Sequence, residues 1–459
     1  MNTSFFGEML SSITERGRAL LDLARDRRAA PAARSDSLVD LCEELLSIRG
    51  EASGVALAGE IFDRYSELTV GPRIAFFEAL ADRFGHDKAK LDAAIIDWQA
   101  KPSDTTAAAV HHAAEPRRQE LFRRLNLAPG GTAALVRMRE QLIDAQDHRS
   151  DLAQVDADFV HLFSSWFNRG FLVLRRIDWS TPAMILEKII RYEAVHRIRS
   201  WDDLRRRIDP SDRRCYAFFH PALVDEPLIF VEIALTRDIP DAVAPILSVQ
   251  REMEAADRTR TAVFYSISNC QRGLAGVSFG NFLIKQVVQE MCRENPKMQT
   301  FVTLSPVPDF ARWLDRERKD ESSAAISAED REVLAGLDRQ GWWQLAEARE
   351  PLREPLMRAA AWYFLRAKNR RGMPADSVAR FHLGNGARLE RINWLADATD
   401  KGISQSHGLM VNYLYDLDHI EKNHEAFAEQ RTVVASSAVR RLQRKIELVP
   451  ADSAAHAVF

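Results

Sequence analysis

Two residues whose side chains could transfer protons or act as nucleophiles stand in distinctive settings, Ser305 and His382. Ser305 ends the apolar run of QTFVTLSPVPDFARWLD (299–315), where Pro306 and Pro308 prevent the strand from continuing. Since LSPVP lacks the Gly-x-Ser-x-Gly turn of a nucleophile elbow, the local sequence favours a turn or helix-capping serine. His382, in RFHLGNGARL, is expected at a strand end before a tight turn, which would position its imidazole for acid–base chemistry. The spacing alone leaves open whether the two side chains meet.

A glycine-rich segment, SISNCQRGLAGVSFGNFLIK (266–285), is a candidate anion site. Gly273, Gly276 and Gly280 would let the backbone approach a ligand at a strand-to-helix junction, where free N–H groups favour negative charge. The spacing matches neither the Gly-x-Gly-x-x-Gly dinucleotide fingerprint nor a Walker loop. A turn that only reverses the chain explains these glycines equally well.

Composition narrows the class of protein. The 459 residues are 46% hydrophobic and 28% charged, as in a folded globular chain of two to three domains, and the net charge of -3 offers no general attraction to nucleic acid or anionic membranes. Four widely spaced cysteines predict neither a disulfide framework nor a zinc site. No secretory leader or membrane span is recognisable, so we expect a cytoplasmic protein.

The first third of the chain reads as successive amphipathic helices. Apolar residues recur at helical spacing in SDSLVDLCEELLSIRG, with Asp36 as the expected cap, and in GPRIAFFEALADRFG, with Pro72 in the first turn. Residues 101–116 look like a connection or a weak helix. Because no polar constellation accompanies these helices, we predict that residues 1–155 form a helical oligomerisation domain.

The second part of the chain predicts an α+β domain. Helices are expected at 180–198 and 200–208, strands at 213–221, 227–236, 261–268 and 299–305, and further mixed structure at 380–397 and 408–417. A helical stripe from Phe282 to Met291 makes 261–305 a β-α-β unit, which normally runs parallel. We therefore predict an all-α domain followed by a mixed α/β catalytic domain over 156–459, with a helical insertion at about 309–368.

Longer blocks of sequence resemble known families. QRGLAG (271–276) resembles the pyrophosphate loop of the acetyltransferase (GNAT) fold, in which the following strand splays away and leaves a gap for an acyl thioester. Five blocks, in order between about 160 and 417, are together similar to the malonyl-CoA decarboxylase family. They are RCYAFFHP, FYSISNCQRGLAGVSFGNFLIKQVV, FVTLSPVPDFARWL, MRAAAWYFLRAKNRRG and HLGNGARLERINWLADATDKGISQSHGLMVNYLYDL. This resemblance implies a helical oligomerisation domain and a GNAT-like catalytic domain.

The resemblance also implies site residues. The family's serine in Leu-Ser-Pro-x-Pro and histidine in Phe-His-Leu-x-Asn-Gly-Ala correspond to Ser305 and His382 here. The implied substrate-binding residues are Ser266, Gln271, Gly273, Ala275, Gly276, Val277, Ser278, Phe279, Gly280, Asn281, Asn385 and Tyr415. The animal enzymes carry an acidic residue where this chain has Ser278. If that carboxylate orients the histidine, either another group does so here, with Asp397 as a candidate, or the orientation of His382 is unassisted. The animal enzymes' peroxisomal tripeptide is missing, as expected of a cytoplasmic bacterial form.

The implied activity is conversion of malonyl-CoA to acetyl-CoA and CO2 through a thioester enolate, in fatty acid metabolism. The thioester is its own electron sink, so neither a cofactor nor a metal is expected. His382 would be the general acid, because an imidazole titrates near the working pH. Ser305 would either orient the carboxylate or the carbonyl of the substrate or exchange a proton with His382. The resemblance further implies a homo-oligomer, a tetramer, with no nucleic acid or membrane partner. The alternatives are a GNAT-type acyltransferase and an acyl-CoA-binding protein without catalysis.

Overall fold

A computed structural model describes residues 37–48, 50–146, 149–255, 257–277 and 283–447. These residues form two compact units. The helical unit consists of Met1–Val173, His220–Glu226 and Gln271–Phe279, and the sheet unit consists of Leu174–Phe219, Pro227–Cys270 and Gly280–Phe459, each as far as it is described. The boundary expected near residue 155 stays a prediction.

The helical unit is built from amphipathic helices, as expected. They are α1 (Leu38–Ser47), α2 (Glu51–Ser66), α3 (Val70–Asp82), α4 (Lys88–Ala100), α5 (Asp104–Ala114), α6 (Arg117–Leu125), α7 (Gly131–Gln146) and α8 (Ala153–Trp166). The cap of α1 is Ser37, which forms a capping box with Asp40, whereas the expected cap, Asp36, lies outside the described residues. The core includes Phe122, whose ring stacks on that of Phe159 with centroids 4.1 Å apart.

The sheet unit is built on an eight-stranded mixed sheet. Its strands are β1 (Val173–Ile177), β2 (Arg213–Phe219), β3 (Pro227–Thr236), β4 (Thr261–Asn269), β5 (Thr300–Thr303), β6 (Ser305–Pro306), β7 (Arg388–Asn393) and β8 (Met410–Leu414). The strand order is β1-β2-β3-β4-β5-β8-β6, and β7 also pairs with β8. Only the β4–β5 pair among the recorded pairs is parallel, so the predicted α+β class and β-α-β unit are confirmed.

Helices cover this sheet and form the expected helical block. They are α9 (Ala183–Tyr192), α10 (Trp201–Ile208), α11 (Ala244–Leu247), α12 (Leu283–Glu294), α13 (Phe310–Lys319), α14 (Ala328–Leu334), α15 (Ala346–Leu365), α16 (Ser377–Gly384), α17 (Asp400–Ser406), α18 (Ile420–Gln430) and α19 (Ser437–Glu447). Apolar residues of α9 and α10 pack on Cys215, Ala217 and Phe230 of the sheet. The helix expected over 180–198 ends at Tyr192, six residues early.

The strands β4 and β5 separate part-way along their length. They pair from Thr261 with Thr300 to Phe264 with Thr303, after which β4 continues towards Asn269 paired with β3 and no longer with β5. The chain beyond β5 pairs with β8 instead, through Ser305. A β-bulge interrupts the pairing of β3 with β4 beside the point where β4 and β5 separate. Glu232 pairs with Ser266 and Ile233 with Phe264, so Tyr265 has no paired residue on β3. This separation is the arrangement that a GNAT-like domain requires.

His382 does not end a strand, contrary to the sequence expectation. It lies in the short helix α16, which is capped by the Asp376 carboxylate and ends in a Schellman motif. Ala387 N donates to His382 O (3.0 Å) and Gly386 N to Leu383 O (2.9 Å). Gly386 occupies the left-handed position of this motif, with φ of 80°. The Gly-Asn-Gly turn therefore holds the backbone of the histidine itself.

We expect Gly386→Ala to destabilise the protein by at least about 2 kcal/mol. A side chain at positive φ costs about 1–2 kcal/mol, and a Cβ at this position would also lie 2.2 Å from Ile420 O. Gly384→Ala is the matched control, because its Cβ would meet only Phe427 Cε1 at an ordinary 3.7 Å. Urea unfolding of both variants measures the difference, and equal midpoints would contradict the requirement for glycine at position 386.

Candidate active site

Ser305 and His382 meet in the folded sheet unit. Ser305 begins β6, immediately after the point where β4 and β5 separate, and His382 projects from the last turn of α16. Ser305 Oγ lies 3.1 Å from His382 Nε2. The two residues are only 5% and 3% exposed. The serine that local sequence favoured as a turn residue therefore belongs to a buried hydrogen-bonded pair.

A hydrogen-bond chain extends from both ends of this pair. Tyr415 OH lies 2.8 Å from His382 Nδ1, and the Ser305 hydroxyl donates to Thr303 Oγ1 at 2.9 Å. Thr303 Oγ1 also accepts the Tyr413 backbone N–H at 3.1 Å. Because the Ser305 hydrogen points to Thr303, the serine oxygen accepts from His382, which assigns the ring hydrogen to Nε2. The Tyr415 hydroxyl then donates to Nδ1.

Burial keeps the imidazole of His382 neutral. Loss of hydration lowers the pKa of His382 from 6.5 to about 3. The ring stacks on Tyr413, with centroids 4.7 Å apart and planes at 24°, and Phe381 packs against its edge. Burial also holds the pKa of the Tyr415 hydroxyl far above its usual range. Desolvation thus moves the pKa of His382 away from the working pH, unlike the ordinary imidazole of the sequence expectation, and no carboxylate among the described residues offsets it.

Asp397 does not orient His382. Both ring nitrogens are occupied by Ser305 and Tyr415, and the Asp397 carboxylate accepts the Thr399 N–H at 3.0 Å. Tyr415 was expected only to line the pocket, and its hydroxyl is the group that fixes the ring. Thr303 was missed, although its position two residues before Ser305 in a strand-like run puts both on the same face.

A cavity of about 280 Å³ opens beside the pair within the sheet unit. It is lined by Val195, Phe264, Tyr265, Ile267, Asn269, Ser305, Pro306, Ser377, Val378, Phe381 and His382. It occupies the space left where β4 continues and β5 ends. None of these described lining residues is Asp, Glu, Lys or Arg, so the walls are apolar except for hydroxyl, amide and imidazole groups.

Ser266 and Asn385 do not line this cavity. Ser266 follows the β-bulge in β4, and its hydroxyl donates to the Glu193 carboxylate at 2.8 and 2.9 Å. The Asn385 amide donates to Phe381 O at 2.6 Å. Asn385 is therefore part of the turn that ends α16.

The glycine-rich loop is described only in part. Gln271, Gly273, Ala275, Gly276 and Val277 belong to the helical unit, whereas Ser278, Phe279, Gly280 and Asn281 lie outside the described residues.

Gly273 and Gly276, the glycines of this loop that the structure describes, are required for different reasons. A Cβ on Gly273 would lie 2.0 Å from Val136 O of α7, and Arg139 Nη1 donates to Gly273 O at 2.8 Å. Gly273 is therefore required for packing on α7, rather than for the approach of a ligand. Gly276 has φ of 77° and open space around it, so its requirement is conformational.

Within the described ranges, acidic, cysteine and histidine side chains form no group of three or more that could hold a metal ion. The same residues include no helix long and apolar enough to cross a membrane.

Family models match most of the chain. The model of the malonyl-CoA decarboxylase C-terminal domain matches residues 170–454, and that of the N-terminal domain matches residues 84–167. The chain belongs to the malonyl-CoA decarboxylase family. This is a family of carboxy-lyases, so the chain is placed among enzymes.

Named relatives agree with this assignment. The mitochondrial malonyl-CoA decarboxylase of Anser anser anser is 35% identical over 417 residues, which cover 83% of this chain and 82% of the goose protein. The crystal structure of malonyl-CoA decarboxylase from Rhodopseudomonas palustris is 58% identical, covers 89% of this chain and 100% of that chain, and has a TM-score of 0.86. That from Agrobacterium vitis is 56% identical, covers 88% and 99%, and has a TM-score of 0.85.

The buried histidine of this family member should make its stability sensitive to acid. Below pH 6.5 the unfolded chain binds a proton at residue 382 that the folded chain excludes down to about pH 3, so stability falls as the pH drops through this window. His382→Asn removes that difference. We expect its free energy of unfolding to fall by about 1 kcal/mol less than that of the wild type between pH 7 and pH 5.5. Urea unfolding at the two pH values measures this, and identical losses would contradict a buried neutral His382.

Proposed function

We propose that this chain releases CO2 from malonyl-CoA and leaves acetyl-CoA. The observation that supports this most is the buried Ser305–His382 pair, 3.1 Å apart, at the wall of a cavity whose described lining residues carry no formal charge. Membership of the malonyl-CoA decarboxylase family supplies the substrate class.

An uncharged cavity suits a reaction that removes a carboxylate. Malonyl-CoA carries its carboxylate one carbon away from the thioester carbonyl, and the negative charge moves into that carbonyl as CO2 forms. Apolar walls such as Phe264, Ile267 and Pro306 solvate a localised carboxylate poorly. They therefore favour the transition state, in which the charge is spread, over the bound substrate.

The bond between C2 and the carboxylate breaks, and its electron pair enters the thioester carbonyl, which gives CO2 and a thioester enolate. Because the thioester accepts the electron pair itself, we propose that no cofactor takes part. A proton then adds to C2, and acetyl-CoA leaves. The complete cycle consumes one proton from solvent.

We assign the proton on C2 to the Ser305 hydroxyl, with His382 as the hydrogen-bond donor that supports it. A thioester enolate is a stronger base than an alkoxide, so a neutral hydroxyl can protonate it. The Nε2–H of His382 stabilises the serine alkoxide by a hydrogen bond until solvent that enters the cavity returns the proton to the serine, and the Tyr415 hydroxyl, bonded to Nδ1, keeps the ring in the same tautomer. This sequence uses neutral donors throughout, in keeping with an imidazole whose pKa is about 3, and it forms no acyl-serine.

Binding of coenzyme A by the glycine-rich loop rests on the resemblance of QRGLAG to a pyrophosphate loop. The left-handed Gly276, with open space around it, is compatible with an anion close to the backbone. The cytoplasmic location expected from the sequence stays a proposal, and the goose relative is described as mitochondrial.

We also propose a homo-oligomer, a tetramer, assembled through the helical unit. The helices α4 and α5 offer the candidate surface, because α4 buries only Ala94 and α5 buries no residue. Ile96 and Trp98 on α4 are 63% and 43% exposed. Apolar exposure of this kind is typical of surfaces that a second chain covers.

Replacement of either member of the pair should stop CO2 release. We expect Ser305→Ala and His382→Asn each to lower kcat by about 10²–10⁴-fold, the range of general acid–base catalysis, with the Kd for acetyl-CoA nearly unchanged. Ser406→Ala is the control, since this buried serine donates only to backbone carbonyls, at Gly402 and Leu409, and it should keep wild-type turnover. Malonyl-CoA without an acyl acceptor is the substrate, and CO2 and acetyl-CoA are measured.

Two outcomes of this assay would overturn the proposal. Absence of CO2 release by the wild type until an amine or thiol acceptor is added would indicate the GNAT-type acyltransferase. A malonyl or acetyl adduct on Ser305, found by mass spectrometry of enzyme quenched during turnover, would replace proton transfer by nucleophilic catalysis.

The oligomer proposal has its own test. We expect Ile96→Asp to reduce the mass of the particle in analytical ultracentrifugation, because a charge in an apolar interface is costly. Val70→Asp, at a valine that is 69% exposed at the start of α3, should leave the mass unchanged. An unchanged mass for Ile96→Asp would exclude this surface.

A further inference from the structure

The segment from Glu193 to His196, which follows α9, is held by an unusual set of hydrogen bonds. We call it the clamped loop. Each backbone N–H and C=O of residues 194–196 is bound by a side chain from another part of the sheet unit or by Glu193. Surface loops normally leave such groups to water, so this one is unusually rigid.

Glu193 binds the N–H groups of the clamped loop. Its carboxylate, 8% exposed, accepts from Val195 N at 2.8 Å and from His196 N at 2.6 Å. The hydroxyls of Ser266 and Ser268 on β4 donate to the same carboxylate, and Ser268 Oγ accepts the Ala194 N–H at 3.2 Å. The loop is thus tied to the strand that forms one side of the cavity.

Two cations bind the carbonyl groups. Lys401 Nζ donates to Ala194 O at 2.6 Å and to Val195 O at 2.9 Å. Arg207 Nη1 donates to His196 O at 2.7 Å. These bonds come from α17 and α10 respectively, so two elements besides β4 and the loop's own glutamate determine where residue 195 lies.

These bonds fix the position of Val195, which is one of the residues that line the cavity with Ser305 and His382. The Val195 N–H is occupied by Glu193 and so is not available to stabilise an oxyanion. What the loop presents to the cavity is therefore the apolar, β-branched side chain. A rigid apolar wall of this kind controls the size of the group that fits beside it.

We infer that Val195, held by Glu193 and Lys401, is a specificity-determining residue that excludes acyl groups with a substituent at C2, such as methylmalonyl-CoA. The inference rests on the proposed decarboxylation, in which C2 receives its proton from the Ser305–His382 pair and so lies in this cavity. A methyl group on C2 meets the cavity walls, and the clamped loop cannot withdraw to admit it. Glu193 and Lys401 are positioning residues, since they act through Val195.

The test compares kcat/KM for methylmalonyl-CoA, as a mixture of epimers, with kcat/KM for malonyl-CoA. One methyl or methylene group in an apolar pocket changes such ratios by about 10–200-fold. We expect Val195→Ala to raise the ratio of methylmalonyl-CoA to malonyl-CoA at least about tenfold, and Val195→Ile to lower it. An unchanged ratio in Val195→Ala would overturn the inference.

A second set of variants tests whether Lys401, which binds the clamped loop, affects the ratio separately from the size of the Val195 side chain. Lys401→Met, at an exposed position, should raise the ratio by freeing the loop, and it should add little when combined with Val195→Ala because both act on the same wall. Arg197→Ala, an exposed position in the same stretch of chain, is the matched control and should keep the wild-type ratio. A purely structural lysine would change thermal stability but not the ratio, and that result would remove Lys401 from the inference.

The wild-type assay distinguishes failure of the proposed decarboxylation from failure of the inference about Val195. If the wild type releases no CO2 from malonyl-CoA, the proposed function and this inference both fall. If it does, and the ratio in Val195→Ala is unchanged, only the inference falls.

Discussion

The cavity exists because the parallel pairing of β4 and β5 stops after four pairs of residues. Had the two strands continued side by side, backbone hydrogen bonds would fill the space that the cavity occupies. Instead β8 pairs with β5, β6 and β7, which satisfies the backbone of the diverging segment without closing the gap. Ser305 lies on that diverging segment, and His382 comes from a helix connected through β7 to the same strand β8. One interruption in a sheet thus brings together residues 77 positions apart.

Desolvation then decides the chemical character of the pair. A neighbouring carboxylate would raise the pKa of a histidine, whereas His382 has phenol and hydroxyl partners and no charged neighbour among the described residues that line the cavity. The result is a neutral imidazole with a fixed tautomer, placed between two hydroxyl groups. Such an arrangement is suited to passing a proton to a strong base formed during the reaction, and poorly suited to activating serine as a nucleophile against a weak electrophile.

Much of this fold could be predicted because its signals are local. The β-branched runs predicted the bounds of β2, β3 and β4 to within two residues, and the apolar spacing predicted the position of α12. The helix around His382 was mistaken for a strand because it spans only eight residues, too few for its apolar spacing to be distinct from that of a strand. Its missed signal was Asp376, whose carboxylate caps the helix by accepting the Ala379 N–H.

The expectations that failed concern interactions between distant parts of the chain. The helix expected to reach residue 198 stops at Tyr192 because the Glu193 carboxylate binds the next free N–H groups, a choice that propensity does not reveal. Ser266 was expected in the pocket, but its hydroxyl binds the carboxylate of Glu193, 73 residues earlier in the chain, and it is not among the residues that line the cavity. The pKa of His382 likewise follows from burial by residues remote in sequence.

The Schellman motif that ends α16 binds the carbonyl of His382 rather than its ring. The histidine is thereby located by the count of residues between it and Ala387 and by the glycine at position 386. Drift in the composition of this segment outside Gly386 would leave the imidazole where it is, whereas insertion or deletion of one residue would rotate it off its partners. The length of this segment, together with its one left-handed glycine, is what natural selection would have to preserve between positions 382 and 387.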